Sequence, residues 1–389
     1  MADKNELILR AKQNSKEIFE TLPDNFVLSP AGFILLGDHT HYTESMLLGC
    51  ALNAYSLVIL QKRDDNKINL KINDGPVTSL DCSDLSNNVC HFNTLLVIEI
   101  MSTIKEKGIL TTGFDCYIEN DVPLCLGLGY YSSTIMGFIS ALNKNLSLNL
   151  SDNEMVEIGY LAWKEKIGKI ANKATLQCSL LAKENHFLYS DLRKTEPELI
   201  PFSNDNCRFI LLDTTEKIEN PRDICNERIE ECEVGVKGLR LYIWGIKNLR
   251  DIKPDFLARH VHMIPRRVYN RCLYNVNERL RVELAKEAVL SGNFLEFCDQ
   301  IYKSHEDLSS LYQISTDKID YLVEFADNSG LVKGAKMISC SSLRSTFALV
   351  EKDNVEGFSE ELNKSFYEKY ELKIEKHEFG LSDGVLNLQ

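Results

Sequence analysis

The chain has 389 residues, 57 acidic side chains against 44 basic ones, and a formal net charge of −13. That field repels nucleic acid and anionic membrane surfaces, and its length predicts two domains, since single hydrophobic cores stop growing at roughly 250–300 residues. Hydrophobic residues make up 44% of the chain, but the apolar runs at 57–60 and 95–101 fall well short of a membrane span. The N-terminus MADKNELILRAKQN lacks a basic start followed by an apolar core, so no secretory signal is expected. The 12 cysteines include no C-x-x-C pair. They read as reduced core thiols of a cytoplasmic protein, and no metal site is expected.

In chain order, Leu7, Ile8, Ala11, Ile18, Phe19 and Leu22 share one face of a helix expected over 4–21. Two short strands are expected at 26–28 and 32–36, leading into the polar segment Gly37-Asp38-His39-Thr40-His41-Tyr42. Strands follow at 56–61 and 68–72, then a helix over 92–107 closed by Gly108, then a strand over 109–119. The glycine segment Gly127-Leu128-Gly129 runs through Tyr130, Tyr131, Ser132 and Ser133 into a helical face. Ser151 and Glu154 form a capping box for the next helix. Strands at 187–190 and 208–213 flank a turn-rich joint near residue 200, which divides the chain into domains 1–200 and 201–389. Residues 222–330 read as largely helical, with Leu280, Leu284, Ala288 and Leu290 marking one helix, Leu295 and Phe297 the next, and Leu322, Val323 and Ala326 a third. A strand at 346–350 and a helix marked by Val355, Phe358, Leu362 and Phe366 complete the chain. Strands and helices interleave without regular βαβ spacing, which predicts an α+β fold.

Three segments are candidates for chemistry. Glycines followed by a helix start let backbone N–H groups approach a phosphate, although this loop is neither a Walker A motif nor a G-x-G-x-x-G fingerprint. A tight turn before a capped helix explains the same pattern. The cluster of Asp38, His39, His41 and Tyr42 suits hydrogen bonding to a polyol, or a solvated loop. The small residues from Gly334 through Ser342 fit either a backbone lying close to a ligand or a plain turn into a strand.

Taken together and in order, these segments resemble the three signature motifs of the galactokinases, within the GHMP small-molecule kinase superfamily. The first is matched by Ser29-Pro30-Ala31-Gly32-Phe33-Ile34-Leu35-Leu36-Gly37-Asp38-His39-Thr40-His41-Tyr42, the second by residues 123–133, and the third by Gly334-Ala335-Lys336-Met337 through Val350. The resemblance covers most of the chain. It implies a two-domain GHMP fold with a ligand cleft between the domains, and transfer of the ATP γ-phosphate to the anomeric hydroxyl of galactose with Mg²⁺. Substrate binding then falls to Asp38, His39, His41 and Tyr42, and nucleotide binding to Gly127, Gly129, Ser132 and Ser133.

The match fails at the residues that carry the chemistry. Gly32 stands where the family has an arginine, Asp38 replaces a glutamate, and His41 replaces a sugar-gripping aspartate. Gly129, Tyr130 and Tyr131 occupy three serine positions, one of which helps place Mg²⁺, and Tyr131 is expected to intrude on the phosphate space. Ser339 through Arg344 replace the third glycine loop, where Arg344 offers either a compensating charge or a solvent-facing side chain. Cys225 stands at the position of a family tyrosine. Thr175 stands at the position of the catalytic aspartate, and no acidic residue occurs from 171 to 183. A general base is worth about 10²–10⁴ in rate, and threonine is no base at neutral pH. The sequence therefore reads as a catalytically impaired member that binds a sugar, a nucleotide or a protein partner, with ATP and Mg²⁺ as cofactors only where nucleotide binding is retained. The alternative is an active sugar kinase with a rebuilt site, in which His41 is the candidate replacement base and Ser132 or Ser133 reaches the phosphates.

Overall fold

The computed structural model describes residues 4–20, 26–85, 91–109, 112–202, 206–338 and 343–388. Two sheets organise them. The larger takes β1 (Phe26–Leu36), β2 (Met46–Lys62), β3 (Lys67–Ile72), β4 (Thr78–Asp81), β5 (Phe114–Asn120), β6 (His186–Asp191) and β7 (Glu198–Pro201). The smaller takes β8 (Cys207–Asp213), β9 (Val332–Ile338), β10 (Ser345–Glu351) and β11 (Glu375–Phe379) in the order β11-β8-β10-β9. A final strand, β12 (Leu386–Leu388), returns to pair antiparallel with β1, so the chain ends on the sheet where it began. The result is an α+β architecture, as the irregular alternation of elements predicts.

The helices are α1 (Lys4–Phe19), α2 (Phe92–Glu106), α3 (Tyr130–Asn145), α4 (Asp152–Ile167), α5 (Lys173–Leu181), α6 (Pro221–Leu239), α7 (Pro254–Arg259), α8 (Arg266–Leu290), α9 (Phe294–Ser310), α10 (Asp317–Ser329) and α11 (Val355–Tyr370). The capping box expected at Ser151 is present: its hydroxyl accepts from the Glu154 N–H while the Glu154 carboxylate accepts from the Ser151 N–H. Gly330 adopts φ +66° and ends α10. One core lies under the larger sheet, between its strands and α2, α3 and α4. A second fills the helical part around α6, α8, α10 and α11. A third joins residues of both sheets, from Phe33 and Cys50 to Phe209 and Phe347, so the sheets share apolar contact.

Three details differ from the sequence expectations. The two short strands expected at 26–28 and 32–36 are one strand, Phe26–Leu36, with a register shift between Pro30 and Ala31. Proline cannot donate to the ladder, and the irregularity absorbs it without ending the strand. The strand expected from 109 begins at Phe114, after a gap in the described residues at 110–111. On α8, Leu280, Leu284 and Leu290 are exposed, whereas Arg271, Asn275 and Glu278 are buried. The buried face of that helix is partly polar, and it is self-satisfying. The Glu278 carboxylate, with no solvent exposure, accepts from the Gly37 N–H at 2.9 Å, the Ser304 hydroxyl at 2.8 Å and the Arg281 guanidinium at 2.9 Å. It ties the end of β1 to α8 and α9. Among the described residues no helix is long and apolar enough to cross a membrane.

Removing one member of a buried ion pair leaves an uncompensated charge, which costs about 3–5 kcal/mol. Glu278→Leu is therefore expected to lose that much stability in urea unfolding, by leaving Arg281 and the Gly37 N–H short of an acceptor. A loss below about 1 kcal/mol would show that Glu278 is dispensable.

Candidate functional site

A cleft of about 470 Å³ is lined by Phe33, Asp38, Gly127, Gly129, Tyr131 and Thr175, with Trp163 and the start of α6 at Asn220–Asp223. It brings together the first and second sequence motifs and the Thr175 position, which lie far apart along the chain.

The floor of the cleft is made of backbone. Gly127 and Gly129 have φ of +76° and +81°, a conformation that favours glycine, and Gly129 opens α3. A Cβ on Gly129 would collide with the Gly32 carbonyl oxygen and stand 2.7 Å from the Gly32 nitrogen. A Cβ on Gly32 would collide in turn with the Thr175 carbonyl oxygen and stand 2.9 Å from the Ser179 hydroxyl. Strand β1, the loop before α3 and the start of α5 thus meet at Gly32 with no room for a side chain there. Thr175 donates its hydroxyl to the Asn172 carbonyl at 2.7 Å, and the Asn172 side chain accepts from the Ala174 N–H at 3.0 Å. The threonine hydroxyl is thus engaged within the first turn of its own helix, which Asn172 caps.

Ser132 and Ser133 also turn inward. Ser132 Oγ donates to the Gly129 carbonyl and accepts from the Gly32 N–H at 3.2 Å and from Ser179 Oγ at 3.0 Å. Ser133 Oγ donates to the Tyr130 carbonyl at 2.9 Å. Both residues are fully buried, so the hydroxyls expected at the phosphates lock the helix start instead. Tyr131 lines the cleft, with its ring edge-on to Phe92 at 5.2 Å. Burial raises its phenol pKa above the ordinary value.

The polar cluster after β1 is buried. Asp38 forms an ion pair with Lys336, whose ammonium also donates to the Leu35 carbonyl at 3.1 Å. In the sequence, the one signal for this contact is a lone lysine within the small, apolar run Gly334–Met337. His39 stands with φ +54° and its ring 4.9 Å from that of Tyr312. The Tyr42 and Tyr312 hydroxyls bond to each other. His41, the candidate replacement base, is not among the residues lining the cleft. Its Nε2 lies 3.1 Å from the Lys169 carbonyl, which fixes the proton on Nε2, and its Nδ1 is buried without a partner among the described residues. Burial first, and then the neighbouring His39, hold its pKa down at about 3.

In the third motif, residues 339–342 lie outside those described, so the expectation for Ser339, Cys340, Ser341 and Ser342 falls there. Arg344 is committed to Asp213 through two contacts of 3.0 Å rather than turned to a ligand or to free solvent. Cys225 is buried in the helical core. The sequence reading missed the start of α6, where Pro221, Arg222 and Asp223 line the cleft. Asp223 is the cleft-lining carboxylate outside an ion pair among the described residues.

The chain matches the family model for the GHMP kinases N terminal domain over residues 95–174. Among solved structures it resembles a galactokinase from Lactococcus lactis complexed with galactose, at a TM-score of 0.92 and 20% identity over 98% of this chain and 100% of that one. It also resembles a mevalonate kinase, at a TM-score of 0.64 and 18% identity over 92% and 99%. The fold is therefore that of the GHMP kinases. Galactokinases from Lactiplantibacillus plantarum and from a Roseiflexus species are 25% and 24% identical to it over 91% and 99% of this chain, and over 93% and 97% of their own lengths. The chain is thus similar to galactokinases over nearly its whole length.

The state of His41 sets a pH dependence. Its folded pKa, about 3, lies below its ordinary 6.5, so between those values the unfolded chain binds a proton that the folded one refuses. Stability then falls as pH drops from 6.5 toward 3, by up to about 1.4 kcal/mol per unit. Urea unfolding of wild type and His41→Gln at pH 7 and pH 5 is expected to show a shallower loss in the variant. Equal losses would mean that His41 titrates normally in the folded protein.

Proposed function

We propose that this chain is a galactokinase-type protein whose cleft binds a sugar or a nucleotide, and in which phosphoryl transfer through the family's arginine and carboxylate is lost. One observation carries this reading. The positions where the resemblance implies an arginine and a catalytic aspartate are Gly32 and Thr175, and they are packed backbone against backbone. The site lacks both charges and the volume an arginine would need. A threonine hydroxyl donated to the first turn of its own helix neither accepts a proton from a sugar at neutral pH nor brings charge to a transferring phosphoryl group. Asp38 is retained in the sugar-facing motif, but Lys336 holds it, so a sugar hydroxyl must share that carboxylate with an ammonium.

Nucleotide fits the cleft on its glycine side, where Gly127 and Gly129 leave the backbone approachable. Mg²⁺ would arrive on the nucleotide phosphates, and Asp223 is the carboxylate placed to meet it. Bound there, Mg²⁺ would neutralise phosphate charge.

A second reading, an active ATP-dependent galactokinase or related sugar kinase with a rebuilt site, draws support from the relatives named galactokinase that align with nearly the whole chain. It needs a base other than His41, which is buried and too weakly basic, and it makes Asp223 the carboxylate to examine.

A coupled assay for nucleoside diphosphate release across a panel of sugars, paired with thermal shifts, separates the two. The impaired reading expects stabilisation by a sugar or nucleotide and turnover far below the roughly 1–100 s⁻¹ of working kinases. Turnover in that range, lost in Asp223→Asn but kept in Thr175→Ala, would establish the rebuilt site instead.

A further inference from the structure

We propose that Arg222 is an anion-binding residue of the cleft and that its ligand is a phosphate group, carried by a nucleotide or a sugar. The proposal rests on the small-molecule reading of the cleft given above. Arg222 follows Pro221 at the first turn of α6 and shares the cleft lining with Gly127, Gly129 and Tyr131. It is the only cationic side chain among the described residues that line the cleft. Its guanidinium sits 5.1 Å from the centre of the Phe92 ring and lies near the Tyr131 hydroxyl.

Those partners are uncharged, and among the described residues no carboxylate pairs with it. Cations elsewhere in the same region are committed: Lys336 to Asp38, Arg344 to Asp213, and Arg228 to Glu231. An unpaired guanidinium stands out in a chain with 57 acidic residues. A ring face takes up no N–H group and one phenol takes at most a fraction of the five, so forked donors remain for a bidentate oxyanion. The net charge of −13 works against phosphate approach, so such a ligand needs a local cation. The phosphate chemistry follows from the adjoining loop, where Gly127 and Gly129 let backbone N–H groups approach closely. Tyr131 packs edge-on to the same Phe92 ring over which the guanidinium sits.

Titration calorimetry with ADP, galactose 1-phosphate, inorganic phosphate and galactose, at one low ionic strength, tests this on wild type, Arg222→Gln and Arg222→Lys. Arg222→Gln is expected to weaken the phosphate-bearing ligands that wild type binds by about ten- to a hundredfold, the weight of a charge-assisted hydrogen bond. Arg222→Lys should recover part of that loss. Affinity for galactose and the ligand-free melting temperature should not change. The ADP and sugar phosphate arms tell which molecule carries the phosphate. Equal affinity for these ligands in Arg222→Gln overturns the proposal and leaves the small-molecule reading standing, as does a wild type that binds galactose but no phosphate-bearing ligand. A wild type that binds none of the four overturns both.

Discussion

The close approach of three backbones at Gly32 governs the rest of the cleft. Strand β1 passes between the carbonyl of Thr175 and the turn at Gly129 with no space for a Cβ on either glycine. This seat fixes α5 and α3 against the strand, and the hydroxyls of Ser132 and Ser179 complete it. Gly32 and Thr175 thus share one packed junction, where a charged side chain at either position would be buried in a poorly solvated place.

The end of β1 is held from the other side by charge. Glu278 accepts the Gly37 N–H, and Lys336 takes the Leu35 carbonyl and the Asp38 carboxylate. Both come from parts of the chain more than two hundred residues away, on α8 and β9. The polar segment after β1 is consequently built into the core rather than displayed as a loop. A sugar reaching Asp38 gains a charge-assisted hydrogen bond only as far as it competes with an ammonium already in place.

Sequence reasoning reached the elements and the order of the motifs because those depend on local signals. Glycines before α3, the capping box before α4 and the apolar faces of α10 and α11 can each be read within a short window. It missed what depends on distant partners. Leu280, Leu284 and Leu290 have helical spacing but face solvent, because the opposite face carries Arg271, Asn275 and Glu278 in a polar network that satisfies itself. Periodicity counts apolar residues and cannot see such a network. The pairing of Lys336 with Asp38 likewise joins a strand of the smaller sheet to the segment after β1, and no local window shows it. Arg222 and Asp223 read as an ordinary helix start, and only the closed fold shows that they border the glycine loop.

Gly32 and Thr175 carry no charge, whereas Arg222 and Asp223 bring a cation and a carboxylate to the same cleft from the start of α6. The two charges differ in how strictly their action depends on position. Attraction between a guanidinium and a phosphate acts over several ångströms, within a screening length of about 8 Å at physiological salt, and tolerates a displaced origin. Proton abstraction requires the base within about 2.6–3.2 Å of the reacting hydroxyl. Arg222 can therefore attract a phosphate from where it stands, whereas Asp223 can serve as a base only for a hydroxyl brought within that range.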